Sequence, residues 1–206
     1  MNDGIYKLHC RAGTGSLAVQ MVLEEIGAPY ELIWVDKAAQ DLSHPTNPTG
    51  KVPVLVVPDG TPVFESAAIL IHLTLAHPAA HLAPLVGSTA HARFLQWMVF
   101  LSANVYETAL RYFYPERYST SGTVAQGGIK EQALADYYRH LEVVQNTLSP
   151  YVLGETFSAA DPYLYMLAGW LPRDAASLSS RLPKLAKHAD LLRRRPATVK
   201  SDKDHS

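Results

Sequence analysis

Along the first third of the chain, hydrophobic positions change between the spacing of strands and the spacing of helices. Short apolar runs typical of β-strands occupy residues 5–10, 29–35, 52–57 and 62–64. Residues 17–26 repeat apolar side chains at helical spacing, and Gly27 follows where a helix commonly ends. A second helix is predicted from Ser66. The order β-α-β, an irregular stretch and then β-β-α is typical of a thioredoxin-like α/β domain.

The remainder of the chain shows helical periodicity almost throughout. Apolar stripes predict helices around residues 94–105 and 134–148, a third helix from Ser158 and a fourth over 183–195, while the Ser/Thr/Gly-rich residues 119–128 indicate a loop. Ser158 and Asp161 have the spacing of a capping box. The predicted organisation is a thioredoxin-like domain at 1–78, a linker at 79–88, an all-α domain at 89–200 and a disordered tail at 201–206.

Composition narrows the function classes. The 206 residues are 48% hydrophobic, which suits a folded globular protein, and the formal net charge is −1. A chain with so little net charge has no global field that recruits nucleic acid or acidic membranes. The first residues contain no apolar signal run, and no stretch approaches the ~20 apolar residues of a membrane helix. We therefore expect a cytoplasmic protein without nucleic-acid or membrane partners.

A proline inside an apolar strand run is the first feature that points to chemistry. Pro53 removes a backbone donor from the run at 52–57, which a central strand does not tolerate. A cis Val52-Pro53 bond is one solution, because it turns the backbone of Val52 outward, where its N–H and C=O can pair with an extended peptide. An ordinary edge-strand proline is the other, since only about 5–6% of X–Pro bonds are cis.

The next feature lies at the start of the predicted second helix. Ser66 is a good N-cap residue, and the free N–H groups of a helix N-terminus bind carboxylates well. Glu65 beside it has the charge to pair with a ligand ammonium group. Each residue alone fits a purely structural role, Ser66 as a plain N-cap. Together with Val52-Pro53, they describe a site for a peptide that has a free α-amino-acid end.

These motifs, Asn-Pro-x-Gly-Lys-Val-Pro-x-Leu at 47–55 and Glu-Ser-x-Ala-Ile at 65–69, resemble those of the glutathione transferase family, and the similarity extends over nearly the whole chain. The resemblance implies a thioredoxin-like domain followed by an all-α domain, a homodimer, and glutathione as co-substrate. It also implies that Val52 and Pro53 pair with the cysteinyl backbone, and that Glu65 and Ser66 grip the γ-glutamyl end.

The same resemblance suggests two lysines for the glycyl carboxylate of glutathione. They are Lys51 and, less strongly, Lys37. Each is equally compatible with a solvated surface position, because lysine is seldom buried. We therefore include both lysines among the predicted glutathione-binding residues.

The loop at residues 11–16 departs from the family pattern. Beta-type bacterial enzymes have a cysteine where this chain has Gly15, and serine-using classes have their serine near Gly13. The remaining candidates for activating the glutathione thiol are Thr14, Ser16 and the backbone N–H groups of the loop. Ser16 can equally be the N-cap of the first helix.

The only cysteine, Cys10, aligns with the end of the first strand rather than with the loop, so we predict a buried, inert thiol. A redox role for Cys10 is the minor alternative, because the neighbouring cation of Arg11 lowers a thiol pKa.

In the helical half, Tyr106 falls where beta-type enzymes have a histidine that faces the sulfur. It is a candidate hydroxyl donor or, together with Tyr112 and Phe113, an aromatic wall of the electrophile pocket. The histidines form no convincing metal set, so no metal is predicted.

Three functions follow from this sequence. The first is a glutathione transferase that stabilises the thiolate and adds it to an apolar electrophile. The second is a glutathione-dependent reductase, lyase or isomerase that uses the same site. The third is a non-catalytic binding or interaction protein on this scaffold, which the missing cysteine and serine favour.

Overall fold

The computed structural model describes residues 4–36, 47, 49–172 and 180–206. The chain divides into two compact units. One comprises Met1–Pro84 together with Leu192–Ser206, and the other comprises Leu85–Leu191.

The first unit contains a sheet of strand order β2-β1-β3-β4. Its strands are β1 (Tyr6–Cys10), β2 (Tyr30–Trp34), β3 (Val54–Val56) and β4 (Pro62–Phe64). β1 and β2 are parallel, whereas β3 is antiparallel to both of its neighbours. Helix α1 (Ser16–Ile26) connects β1 to β2, and helix α2 (Ser66–Ala76) follows β4. The predicted β-α-β and β-β-α order is confirmed.

Local sequence explains the ends of these elements. Along β1, the alternate residues Tyr6, Leu8 and Cys10 are buried, as expected when one face of a strand covers a core. Helix α1 ends at Gly27, whose φ of 71° lies in the left-handed region that glycine adopts most readily. The Gly27 N–H bonds the Glu24 carbonyl and closes the last turn.

The first unit is completed by helix α8 (Pro196–Asp204), which packs on α1. This corrects the prediction that residues 201–206 are disordered. The helix predicted over 183–195 does end before Pro196, at Leu192, and α8 is a further helix that was not predicted. The prediction failed because α8 buries only small side chains, Ala197, Thr198 and Ser201, and is held by side-chain contacts with the distant helix α1. A proline at the first helical position starts this helix well, because its missing N–H has no intrahelical partner there.

The second unit is helical over its described residues. Its helices are α3 (Thr89–Phe100), a π-helical segment (Leu101–Tyr106), α4 (Glu107–Phe113), α5 (Gly122–Gln145), α6 (Ala160–Gly169) and α7 (Pro183–Leu192). Its core includes the fully buried side chains of Phe94, Tyr137, Leu141, Tyr163 and Leu164. None of the helices within the described ranges is both long and apolar enough to cross a bilayer.

Two local expectations in this unit had different outcomes. The loop predicted at 119–128 is corrected, because α5 already begins at Gly122 and runs through Gly127 and Gly128. The pairing of Ser158 with Asp161 is confirmed, since the Asp161 carboxylate accepts the Ser158 N–H at 2.8 Å. The helix itself begins at Ala160, two residues after the predicted start.

Candidate functional site

Three segments of the first unit meet at one edge of its sheet. The carboxyl end of β1 lies beside the amino end of β3, with His9 opposite Val54, and Val54 is in turn opposite Phe64 at the carboxyl end of β4. The loop after β1, the Val52-Pro53 dipeptide before β3 and the Glu65-Ser66 dipeptide after β4 therefore share this edge.

The Val52-Pro53 peptide bond is cis. Pro53 is buried and Val52 is half-buried, just before the first residue of β3. Within the described residues, no hydrogen bond is made by the Val52 N–H or C=O. The backbone of Val52 is thus free to pair with an extended ligand, as the cis alternative in the sequence analysis required.

A tight turn leads into this dipeptide. The Gly50 N–H donates to the Asn47 carbonyl at 3.2 Å, and the Asn47 side-chain amide donates to the Lys51 carbonyl at 2.8 Å. Lys51 is exposed at the end of this turn. Lys37, the other predicted lysine, lies outside the described residues.

The Glu65-Ser66 dipeptide forms the start of α2. Glu65 is exposed and has a φ of 70°, which is uncommon for a residue other than glycine. Its carbonyl accepts the Ile69 N–H at 2.9 Å, and Ser66, only 5% exposed, is the first helical residue. The first turn of α2 contains no acidic residue and no side-chain cap, so its N–H groups keep their partial positive charge.

The loop after β1 is closed by hydroxyl groups. Ser16 is fully buried, and its Oγ accepts the Arg11 N–H at 3.2 Å while lying 3.1 Å from the Arg11 carbonyl. The Thr14 hydroxyl donates to the same carbonyl at 2.7 Å and lies 2.9 Å from the Ser16 Oγ. Both hydroxyl protons are therefore directed inward, although Thr14 is partly exposed and Ser16 is not.

Backbone donors of this loop are more available than its hydroxyl groups. In the described part of the chain, no hydrogen bond is made by the N–H groups of Ala12, Gly13, Thr14 and Gly15. They precede α1, whose first turn has no acidic residue and no side-chain cap. Donors of this kind at a helix N-terminus stabilise an anion such as a thiolate.

A direct contact joins the three segments. A β-carbon placed on Gly15 would lie 2.2 Å from the Ser66 Oγ and 3.1 Å from the Pro53 Cδ. The N-termini of α1 and α2 are thus adjacent, and Pro53 lies beside Gly15. Two helix N-termini without a side-chain cap favour an anionic group at this point, and the Glu65 carboxylate at the N-cap of α2 suits a neighbouring cationic group.

Cys10 does not belong to this surface. Its side chain is completely buried, and its Sγ lies 3.7 Å from the Ile33 carbonyl. Burial raises the pKa of the Cys10 thiol to about 12. A thiol of this kind is a weak nucleophile, because the thiolate is the reactive form.

In the second unit, Tyr106 is the last residue of the π-helical segment and is half-buried. Its ring makes an edge contact with Trp170 at 5.0 Å between centroids. Tyr112 and Phe113 make a similar contact at 5.0 Å, and Lys130 lies 4.9 Å above the Tyr112 ring. Phe113 is 47% exposed, so this aromatic pair presents apolar surface.

A polar network that the sequence analysis missed supports the turn carrying Tyr106. The Thr108 hydroxyl donates to the Asn104 carbonyl, which also accepts the Glu107 N–H. The Thr108 Oγ1 lies 3.1 Å from the His140 Nδ1. The widened turn has no sequence signature, but π-helical turns inside α-helices are frequent at functional sites.

Among the described ranges, no group of three or more His, Cys, Asp or Glu side chains is arranged to hold a metal ion. The site of the first unit is instead composed of backbone donors, a buried serine and a carboxylate. This is the chemistry of a site for a small zwitterionic or anionic ligand.

Comparison with known proteins identifies relatives over most of the chain. The sequence profile of the family described as "Glutathione S-transferase, N-terminal domain" matches residues 16–75. The uncharacterized GST-like protein YncG of Escherichia coli K12 is 30% identical over 174 residues, which are 81% of this chain and 82% of that protein.

Solved structures extend this similarity to the fold. A glutathione transferase homologue from Sulfitobacter with bound glutathione has a TM-score of 0.87 and 27% identity, with 98% of each chain covered. A sphingomonad glutathione S-transferase complexed with glutathione has a TM-score of 0.82 and 30% identity, covering 97% of this chain and 98% of its own. The predicted fold, an α/β thioredoxin-like domain followed by an all-α domain, is confirmed.

Proposed function

The chain belongs to the glutathione S-transferase family, and we propose that it is a glutathione transferase that binds glutathione, stabilises its thiolate and adds it to an apolar electrophile. The meeting of Gly15, Pro53 and Ser66 at two helix N-termini is the observation that carries this proposal. With an aryl halide, the sulfur forms a C–S bond, the carbon–halogen bond breaks, and the halide leaves with the bonding electrons. The thiol proton passes to solvent.

Each part of glutathione has a matching group in the first unit. The unpaired backbone of Val52 receives the cysteinyl segment, with cis-Pro53 holding that backbone outward. The N-terminus of α2 and the Ser66 hydroxyl receive the γ-glutamyl carboxylate, and Glu65 receives the adjacent ammonium group. Lys51, and Lys37 less strongly, are proposed for the glycyl carboxylate.

Thiol activation is assigned to the loop before α1. Lowering a thiol pKa from about 8.5 by two units requires about 2.7 kcal/mol of preferential stabilisation of the anion. One hydrogen bond to a charged group contributes about 1.5–3 kcal/mol, and a helix N-terminus adds about 0.3–1 kcal/mol. The unpaired N–H groups of Gly13 to Gly15 are therefore sufficient, and the Thr14 hydroxyl becomes an additional donor when it rotates away from the Arg11 carbonyl. Ser16 is better suited to closing the loop, because it is buried.

The electrophile is proposed to contact Tyr106, Tyr112 and Phe113. The exposed edge of the Tyr112–Phe113 pair supports an apolar or aromatic substrate. In this proposal Tyr106 is an aromatic wall of the electrophile pocket and a candidate hydroxyl donor to the sulfur. We further propose that the protein is a homodimer that acts in the cytoplasm, where cells keep thiols reduced.

Calorimetry with glutathione and a conjugation assay with an aryl halide test this function together. We expect binding of glutathione at millimolar concentration or below, and turnover that depends on both substrates. In Thr14→Ala, Ser16→Ala and Tyr106→Phe variants, a lower kcat with unchanged glutathione affinity would identify an activating side chain. If backbone donors dominate, Thr14→Ala should lower kcat by less than about tenfold.

The same measurements distinguish the alternatives. Saturable glutathione binding without turnover of any electrophile would favour a non-catalytic binding protein. Activity with peroxide or disulfide substrates that is lost in Cys10→Ala would favour a redox enzyme. The absence of glutathione binding would contradict the proposal as a whole.

A further inference from the structure

The backbone conformation at position 15 does not require a glycine. Its φ of −57° and ψ of −14° lie in the right-handed helical region, which every L-residue adopts readily. Gly13, two positions earlier, has a φ of 69° and is a glycine for conformational reasons. The reason for a glycine at position 15 must therefore be its surroundings.

Those surroundings leave no room for a side chain. A β-carbon on Gly15 would lie 2.2 Å from the Ser66 Oγ, 3.1 Å from the Pro53 Cδ and 3.4 Å from the Ser66 Cβ. At the other glycines whose surroundings are described, such as Gly13 and Gly128, a β-carbon meets nothing within 4 Å. The close approach at position 15 is thus specific to the point where the two helix N-termini meet.

The three contacts differ in how easily they yield. The Ser66 Oγ, which is much too close, can move to another staggered position by rotation about one bond, whereas the rigid Pro53 ring needs to shift by only a few tenths of an ångström. A methyl group on residue 15 would consequently be accommodated mainly by turning the Ser66 hydroxyl away. The fold would survive, but the hydroxyl would no longer point as it does next to Gly15.

We infer that Gly15 is a positioning residue for ligand selection: by lacking a side chain, it fixes the direction of the Ser66 hydroxyl and so determines affinity for thiols with a γ-linked amino acid. The inference rests on the proposed function, in which Ser66 receives the γ-glutamyl carboxylate. The inference goes beyond that function because recognition of the γ-glutamyl end then depends on residue 15. Residue 15 does not touch the ligand and acts only through Ser66.

The test is a double-mutant cycle read out by ligand binding. Glutathione and cysteinylglycine, which lacks the γ-glutamyl group, are titrated calorimetrically into the wild type, Gly15→Ala, Ser66→Ala and the double variant. We expect each single variant to lose about tenfold in glutathione affinity, the effect of one lost hydrogen bond to a carboxylate. The double variant should bind no more weakly than the weaker single variant, because both changes remove the same contact.

Two controls separate positioning from general damage. Cysteinylglycine affinity should be unchanged in all three variants, because this ligand does not reach Ser66. Gly128→Ala, where a β-carbon has open space, should leave both affinities unchanged. Circular dichroism should show that Gly15→Ala folds like the wild type. A variant that folds only when Ser66→Ala accompanies it would show that the contact sets stability rather than ligand selection, and would overturn the inference.

The outcomes that overturn the inference are distinct from those that overturn the function. Glutathione binding by the wild type with equal affinity in Gly15→Ala overturns the inference alone. So do losses that multiply in the double variant, and an equal loss of cysteinylglycine binding. Failure of the wild type to bind glutathione overturns the proposed function, and the inference with it.

Discussion

Arg195 and Glu25 are 170 positions apart, yet two side-chain hydrogen bonds join them, from Nε to Oε1 at 2.6 Å and from Nη2 to Oε2 at 2.7 Å. Arg195 immediately precedes α8, and Glu25 lies in the last turn of α1. Their side chains are only 30% and 14% exposed, so solvent screens the pair incompletely. A bidentate ion pair of this kind orients the two side chains as well as pairing their charges.

We predict that Arg195→Ala lowers the free energy of unfolding by about 1–2 kcal/mol, since a partly buried two-point pair is stronger than an exposed one. Thermal denaturation should show this as a decrease in Tm of a few degrees. Arg195→Lys should recover only part of the loss, because an ammonium group cannot form both bonds. Arg194→Ala, at the exposed neighbouring position, is the control. Equal Tm values for the two alanine variants would contradict the prediction.

Asp161 is the most heavily bonded carboxylate among the described residues of the helical unit. It is completely buried and accepts the N–H groups of Val152 and Ser158, each at 2.8 Å. The Ser158 hydroxyl at 3.2 Å and the His188 Nε2 at 3.0 Å complete its partners. This single side chain therefore connects the segment before α6 to α6 itself and to α7.

We predict that Asp161→Ala lowers the free energy of unfolding by about 3–5 kcal/mol, because several buried donors lose their acceptor at once. Urea denaturation monitored by circular dichroism measures the loss. Ser158→Ala, which removes one hydroxyl group, should cost about 1 kcal/mol. Asp136→Asn, at an exposed pair with Arg139, should change stability by less than about 0.5 kcal/mol. A loss below about 1 kcal/mol in Asp161→Ala would show that the bonds are dispensable.

Sequence patterns predicted the first unit well where structure is decided locally. The strand runs and the helix ending at Gly27 follow from residue spacing and from one conformational requirement. The helices α5 and α8 were harder, because their formation depends on contacts far away in sequence. Gly127 and Gly128 have low helix propensity, yet the buried stripe with Tyr137 and Leu141 extends α5 through them.

The same distinction applies to the candidate site. Motifs such as Val52-Pro53 and Glu65-Ser66 are contiguous, so the sequence indicates them directly. The approach of Gly15 to Ser66 is not visible in the sequence, because it arises only when β1, β3 and β4 are paired and two helix N-termini converge. The widened turn before Tyr106 is likewise a product of packing, since its residues fit an ordinary helix equally well.

We predict that Cys10 is unreactive in the native protein. With its pKa raised to about 12 by burial, its thiolate fraction near pH 8 is on the order of a thousandfold below that of a free thiol. Iodoacetamide labelling followed by mass spectrometry should therefore be negligible in buffer and complete in concentrated urea. Cys10→Ala should retain conjugation activity within about twofold. Native-state labelling at the rate of a free thiol would show that this part of the first unit opens.

His140 makes stability depend on pH in a defined direction. Burial lowers the pKa of His140, and the charges of Arg139 and Arg111 lower it further, whereas Asp136 acts in the opposite sense. The unfolded chain therefore binds a proton on this residue at a higher pH than the folded protein does. Stability contributed by neutral His140 is present above about pH 6.5 and is lost as the pH falls through the unfolded and then the folded pKa.

We accordingly predict that the stability difference between the wild type and His140→Gln becomes smaller as pH is lowered from about 7.5 to about 5. Urea denaturation at several pH values measures this difference. Thr108→Val is the matched control, because it removes the hydroxyl group that contacts His140 but keeps the titrating ring. Its destabilisation should be present at every pH, and its pH slope should follow that of the wild type. A constant difference between the wild type and His140→Gln would mean that protonation of this ring is not coupled to folding.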